Sequence, residues 1–200
     1  MSTPSGAVPG PDGRLRCPWG LSTEDYVAYH DTEWGRPLHG DDALFERLCL
    51  EAFQSGLSWL TILRRREGFR TAFKGFSIPA VAAFTEADVE RLLGDASIIR
   101  NRAKIEASVA NARVAAELGA GELDALIWSY APDQAKRPAP RKLADVPATT
   151  PESTALSKDL KKRGFRFVGP TTAYALMQAC GLVDDHLVDC VARRGSGGSA

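Results

Sequence analysis

Two pairs of soft metal donors stand at opposite ends of this sequence. Cys17 and His30 have twelve residues between them, His186 and Cys190 have three, and 155 residues separate the two pairs. At helical spacing His186 and Cys190 fall one turn apart on one face. Two thiolates with two imidazoles suit zinc in a tetrahedral site. One ion held by all four would tie the first folded residues to the last and close almost the whole domain into a single loop. Four protein ligands would leave no open position, so the role would be structural and not hydrolytic. The alternative is a surface Cys17 and a hydrogen-bonded core histidine at position 186. Cys49 and Cys180 sit within apolar helical runs and read as core.

The chain has 200 residues, enough for one domain with a real core. Hydrophobic residues are 44% and charged residues 25%, an ordinary globular composition. No apolar run approaches the roughly 20 residues that span a bilayer. The start, MSTPSGAVPG, has neither basic nor apolar signal character. Four cysteines without such a signal fit a reducing compartment, where metal ligation or inert burial outweighs disulfides. Residues 1–13 hold three Pro and three Gly, and residues 195–200 read GSGGSA. Both are expected to be disordered tails around one folded domain, 14–194.

That body reads as helices. Asp41-Asp42 precedes Leu44, Phe45, Leu48, Cys49 and Ala52 at a 3.6-residue period, and Gly56 closes the segment. Further helices are expected over 57–66, from Pro79, over 86–93, 98–118, 123–130, 153–163 and 171–180, with a last one beginning near Val183. Five prolines place residues 131–151 in loop. No β-type alternation is found, so the fold class is all-α.

There are 25 basic and 25 acidic residues, and the net charge of zero excludes a histone-like protein. The distribution is uneven. Residues 17–60 carry a balance of −6, residues 158–166 one of +4, and Arg64, Arg65, Arg66 and Arg70 form a second basic cluster. Two such clusters point either to a local anionic partner or to solvated helix faces.

Two further constellations carry chemistry. On a helical wheel Glu51 falls beside Leu44, on the apolar stripe. A carboxylate there is costly unless it is hydrogen-bonded or used, and burial raises its pKa. Trp19, Tyr26, Tyr29, Trp34 and Trp59 surround it in sequence. Aromatic faces near a lone acid describe a pocket for a flat cationic ring, although core packing is their commoner role. The second constellation is 157–174, which reads as helix, tight turn, helix. Gly164 can end the first helix, and Gly169 keeps the backbone clear before Pro170 and Thr171 open the second. Lys161, Lys162, Arg163 and Arg166 flank the turn. A helix N-terminus beside such a cluster can hold a DNA backbone without reading sequence.

Together these stretches resemble the bacterial 3-methyladenine DNA glycosylase I family. The matching segments are RCPWG (16–20), YHDTEWG (29–35), LEAFQSGLSW (50–59), IIRNRAK (98–104), LSKDLKKRGFRFVG (156–169) and MQACGLVDDH (177–186). The resemblance implies a helix–hairpin–helix glycosylase fold with one structural zinc ion on Cys17, His30, His186 and Cys190. It implies a base pocket with Glu51 and Tyr29 as catalytic groups and Trp59, Trp19, Tyr26 and Trp34 in or behind its wall. DNA contacts are expected at Leu57, a candidate wedge for the gap in the base stack, and at Lys161, Lys162, Arg163, Arg166 and Gly169. The expected substrate is double-stranded alkylated DNA, from which 3-methyladenine is flipped out and excised to leave an abasic site. A monomer working in the bacterial cytoplasm at the nucleoid, without a membrane, is implied. Relatives in the wider fold carry a catalytic Asp in a Val-Asp-x-His sequence. Here Asp184 occupies that slot, either as an active carboxylate or, as expected, as the cap of the last helix. Two rivals remain: a zinc-stapled module that binds lesions without cleaving them, and a metal hydrolase with an open coordination position.

Overall fold

The protein is described here by a computed structural model, which covers residues 6–194. Among them are nine α-helices and one short antiparallel strand pair, so the all-α expectation holds.

The central element is α2 (Asp41–Gln54). Acids in its first turn complement the helix dipole, and nine of its residues, from Leu44 to Phe53, are buried. Helix α1 (Glu24–Thr32) precedes it, and α3 (Trp59–Ala72) follows after a turn at Gly56. The Ser58 hydroxyl accepts the Thr61 N–H and starts α3 two residues later than the periodicity predicts. Short helices α4 (Ile78–Ala82) and α5 (Glu86–Gly94) lead to α6 (Arg102–Ala116), which Asn101 caps through the Lys104 N–H. Helix α7 (Glu122–Trp128) ends the first half. The proline-rich stretch that follows is mostly irregular, with 3-10 turns at Gln134–Lys136 and Leu143–Asp145. The last two helices, α8 (Pro151–Lys162) and α9 (Pro170–Ala179), pack against each other, and α9 lies on α2. Phe45, Phe53, Phe69, Phe73, Phe76 and Phe84 fill the core between these helices.

Three expectations need correction. Helix α1 was not anticipated, because only Tyr29 and His30 of it are buried and its apolar stripe is correspondingly weak. The helix expected from Val183 is absent. Residues 181–194 run in turns, where the Asp184 carboxylate accepts the N–H groups of His186 and Arg194. The backbone is held there by a side chain, not by a helical ladder, so Asp184 caps no helix. The expected disordered tail through residue 13 is likewise wrong from residue 8 onward. Strand β1 (Val8–Pro9) pairs with β2 (Leu15–Arg16), and the Arg16 guanidinium grips Asp12 in the intervening turn. The rest of both expected tails, 1–5 and 195–200, lies outside the described residues.

One contact fixes how the N-terminal region meets α9. The Gly35 and Leu38 N–H groups donate to the carbonyls of Gln178 and Cys180 at 3.1 and 3.0 Å. Gly181 turns the chain there at φ +72, and a Cβ on it would lie 2.4 Å from the Arg36 carbonyl carbon. Only glycine satisfies both demands. No helix among the described residues is long and apolar enough to cross a membrane.

Candidate functional site

The four distant donors converge. One ligand atom from each of Cys17, His30, His186 and Cys190 lies within 4.8 Å of every other, and all four residues are buried. Cys190 Sγ is 3.4 Å from His30 Nε2 and 3.6 Å from His186 Nδ1, and Cys17 Sγ is 3.8 Å from His186 Nδ1. Such separations suit donors around one tetrahedral ion. The neighbouring groups aim the imidazoles. His30 Nδ1–H donates to Asp31 at 2.8 Å, and Asp31 is held by Arg16. His186 Nε2–H donates to the Trp34 carbonyl at 3.0 Å. Each ring thereby turns its other nitrogen into the cluster. The backbone at Gly20 packs so closely on the His30 ring that a Cβ there would come within 2.7 Å. These residues could hold a metal ion, and their chemistry and second contacts fit one.

The cluster also supports a pocket. Trp19 meets the His30 ring edge-on at 5.1 Å, and Trp34 meets His186 at 4.7 Å. These two indoles, with Tyr26, Tyr29 and Trp59, line a cavity of about 180 Å³. Glu51, which the helical wheel places on the apolar stripe of α2, lies in its wall. Gln54, Ala175 and Gln178 also line it and were not anticipated. The Leu60 N–H donates to Tyr26 Oη, which joins α3 to this wall. Trp59 Nε1 is a buried donor without a partner among the described residues.

Glu51 is 5% exposed, and no protein group among the described residues hydrogen-bonds its carboxylate. Burial pushes its carboxyl up to about 7, against the opposing pull of the Arg47 guanidinium one turn earlier. Burial also holds the Tyr29 phenol well above its ordinary value, so it stays protonated.

The charged clusters separate into two kinds. The acidic N-terminal half and the α3 arginines neutralise each other: Arg64 pairs with Asp25, Arg66 with Glu33 and Arg70 with Glu46, while Arg65 donates to the Ala96 carbonyl. The expected second basic patch is therefore not a free cationic surface. In the α8–α9 hairpin, Arg163 is paired with Asp159 at 3.0 Å. Lys161, Lys162 and Arg166 are exposed and make no ion pair among the described residues. Asn111 holds the hairpin in place through both backbone groups of Arg166. A Cβ on Gly169 would meet nothing within 4 Å, so the surface in front of α9 is open. Leu57 is 40% exposed on the turn between Gln54 and Trp59, both of which line the pocket. The buried Lys104 ammonium steadies that turn by donating to the Phe53 and Ser55 carbonyls. Asp184 stands apart from the pocket lining, ion-paired with Arg193 and Arg194.

The titration of Glu51 has a consequence for stability. Its folded-state pKa lies above its unfolded value, so the native state binds the extra proton and stability falls as pH rises from about 4.5 to 7. Glu51→Gln removes this penalty. The variant is expected to match the parent near pH 4 and to exceed it by roughly 3 kcal/mol at pH 8 in urea unfolding. Equal stability at both pH values would show that Glu51 is not buried as an acid.

Comparison with known proteins agrees over nearly the whole chain. The family model for methyladenine glycosylase matches residues 19–194. DNA-3-methyladenine glycosylase 1 of Escherichia coli is 48% identical over 178 residues, covering 88% of this chain and 95% of the relative. The Haemophilus influenzae DNA-3-methyladenine glycosylase is 46% identical over 177 residues, with 88% and 96% covered. A solved structure of 3-methyladenine DNA glycosylase I from Staphylococcus aureus, described as the basis of 3-methyladenine recognition, superposes with a TM-score of 0.82. It is 37% identical and covers 89% of this chain and 96% of its own. The shared fold, over almost the full length and at these identities, leaves one assignment: this chain belongs to the methyladenine glycosylase family.

Proposed function

We propose that the protein flips 3-methyladenine out of double-stranded alkylated DNA and hydrolyses its N-glycosidic bond, leaving an abasic site. The observation that carries this reading is the solvent-open aromatic cavity with a single unpartnered carboxylate, Glu51, in its wall.

Methylation at N3 gives the purine a formal positive charge while it is still attached to the sugar. The glycosidic bond is weak for that reason. Water attacks the sugar carbon, the C1′–N9 electron pair leaves with the base, and the base departs neutral while the water proton goes to solvent. Little acid catalysis is required. The enzyme must extract the base, hold it and exclude normal adenine. The Glu51 carboxylate accepts from the exocyclic amine. The Trp59 and Tyr29 faces favour a cationic ring over a neutral one. Trp19, Tyr26 and Trp34 shape the wall. Leu57 is placed to fill the gap left in the stack. Lys161, Lys162 and Arg166 meet the phosphates, with Gly169 and the start of α9 beside them, while Arg163 serves chiefly to hold Asp159. Asp184 belongs to the metal-bearing turns and takes no part in chemistry. The protein works as a monomer in the bacterial cytoplasm, on nucleoid DNA.

The ion at Cys17, His30, His186 and Cys190 is zinc in a structural role. Support comes from the N₂S₂ donor set, its complete burial and the imidazole partners. These features also disfavour a metal hydrolase, which needs an open position. A binding module without chemistry is separated from a glycosylase by chromatography of methylated DNA after incubation. Free 3-methyladenine in the supernatant is expected, and its absence would leave only binding.

Three measurements test the parts. Glu51→Gln preserves shape and changes the hydrogen-bond pattern. Loss of a bond to a charged group is worth about 1.5–3 kcal/mol, so single-turnover excision should slow about 10- to 150-fold. Asp184→Asn should leave the rate of the folded fraction nearly unchanged; a crippled Asp184→Asn beside a normal Glu51→Gln would reverse the roles of the two acids. Metal analysis of the folded chain should return one zinc per molecule. Cys190→Ala should lose the ion together with about 4 kcal/mol or more of stability. DNA binding should weaken steeply with salt, and Lys162→Ala with Arg166→Ala should lower the salt slope by about two. An unchanged slope would make the hairpin a solvated face.

A further inference from the structure

Helix α2 carries a second buried charge that this chemistry does not use. Arg47 is 7% exposed and stands one turn before Glu51. Residues so spaced have Cβ atoms about 5–6 Å apart on one helix face. A guanidinium in such a place is expensive unless its donors are fully paired, and the pairing of Arg47 is incomplete. Its nearest acid, Glu33, is gripped at both oxygens by Arg66, at 2.5 and 2.9 Å. Arg47 Nη2 reaches Glu33 only at 3.4 Å, and Nη1 is buried with no partner. On one side Arg47 borders a separate cavity with Arg36, Leu38 and Ala179; on the other it meets two rings of the pocket wall. The guanidinium carbon lies 5.7 Å from the centre of the Tyr29 ring and 5.9 Å from that of Trp59. Arg47 is thus surplus to the ion pair of Glu33 and pressed against two walls of the cavity.

The titratable and polar groups facing this pair come from three sides. They are Tyr29 of α1 and Glu33 just after it, Trp59 and Arg66 of α3, and Gln178 with Cys180 at the end of α9. Burial keeps the Tyr29 phenol and the Cys180 thiol protonated, the latter pushed up to about 12. Glu33 is neutralised by Arg66. Among the described residues, Glu51 is the acid left on which the Arg47 charge acts without competition. We propose that Arg47 is a positioning residue and the internal counter-ion of Glu51: it keeps the pocket acid as a carboxylate that can accept from a base amine, and it braces the Tyr29 and Trp59 rings. The inference rests on the reading of Glu51 as the base-recognising group. It adds a source for the charge of that group in a cavity whose dryness opposes it.

The test is the pH profile of single-turnover 3-methyladenine excision for the parent, Arg47→Lys, Arg47→Met and Glu51→Gln. The parent rate should rise with pH as Glu51 loses its proton. Arg47→Met should move that limb to higher pH by about one unit or more, so it is roughly 10-fold slower near neutrality and recovers at high pH. Arg47→Lys keeps the charge and should stay near the parent limb. An Arg47→Met profile lowered at every pH with its limb unmoved would make Arg47 a space-filler and overturn the proposal. A Glu51→Gln profile identical to the parent would instead remove the Glu51 reading, a separate observation. Carbon NMR titration of the Glu51 carboxyl in the parent protein provides a readout free of activity and of variant folding. A carboxyl still protonated above about pH 8 with Arg47 in place would also overturn the proposal, since Arg47 would then not hold the charge.

Discussion

Bringing four donors from the two ends of the chain to one point is the constraint on which the rest of the structure depends. Cys17 and His30 enter from the N-terminal turns and α1, and His186 and Cys190 enter from irregular chain after α9. Neither pair can close a site alone. Their meeting sets the position of α1 against the C-terminal segment, which the Leu15 carbonyl and the Val191 N–H also join. Two pocket indoles then rest on the ligand rings, Trp19 on His30 and Trp34 on His186. The stability of the ends and the shape of the cavity are therefore one problem, solved by one cluster. An ion at this place needs no contact with substrate to matter to it.

Electrostatics follow a similar economy. The chain is neutral overall, and three acids of its acidic first quarter are paired with arginines of α3. Four cations of the α8–α9 hairpin, Lys158, Lys161, Lys162 and Arg166, make no ion pair among the described residues and face solvent, while on α2 Glu51 lies in the cavity wall and Arg47 lies against its Tyr29 and Trp59 rings. The first group suits a polyanion that is held without being read. The second suits a ligand that is flat, apolar at its faces and polar at one edge.

Much of this was legible in the sequence. The period of α2 and the place of Glu51 on its stripe follow from spacing alone, because a helix fixes which residues share a face. The cores of α5, α6, α8 and α9 were found for the same reason. Helix α1 leaves little trace in the sequence because its buried side is two residues, Tyr29 and His30, whose burial comes from the pocket and the donor cluster and not from an apolar stripe. The helix expected at Val183 failed because donor convergence and the Asp184 turn overrode local preference. Arg47 was passed over although it lies four residues before Glu51. Its sequence neighbourhood is that of a surface arginine, and only the competing grip of Arg66 on Glu33 reveals that it is buried and underpaired.

The sequence by itself determined the chemical inventory: the donor types, the aromatic wall, the acid on an apolar stripe and the basic hairpin. Each depends on residue identity and on spacing within one helix or turn, which the chain carries locally. The tertiary structure alone decided which members of that inventory meet. It placed Gln54, Ala175 and Gln178 in the cavity, assigned Arg163, Arg64, Arg66 and Arg70 to acids, and left Lys161, Lys162 and Arg166 exposed. Those outcomes depend on contacts between residues far apart in the chain. Such contacts are fixed by packing around a shared core and a shared cluster, and local spacing holds no record of them.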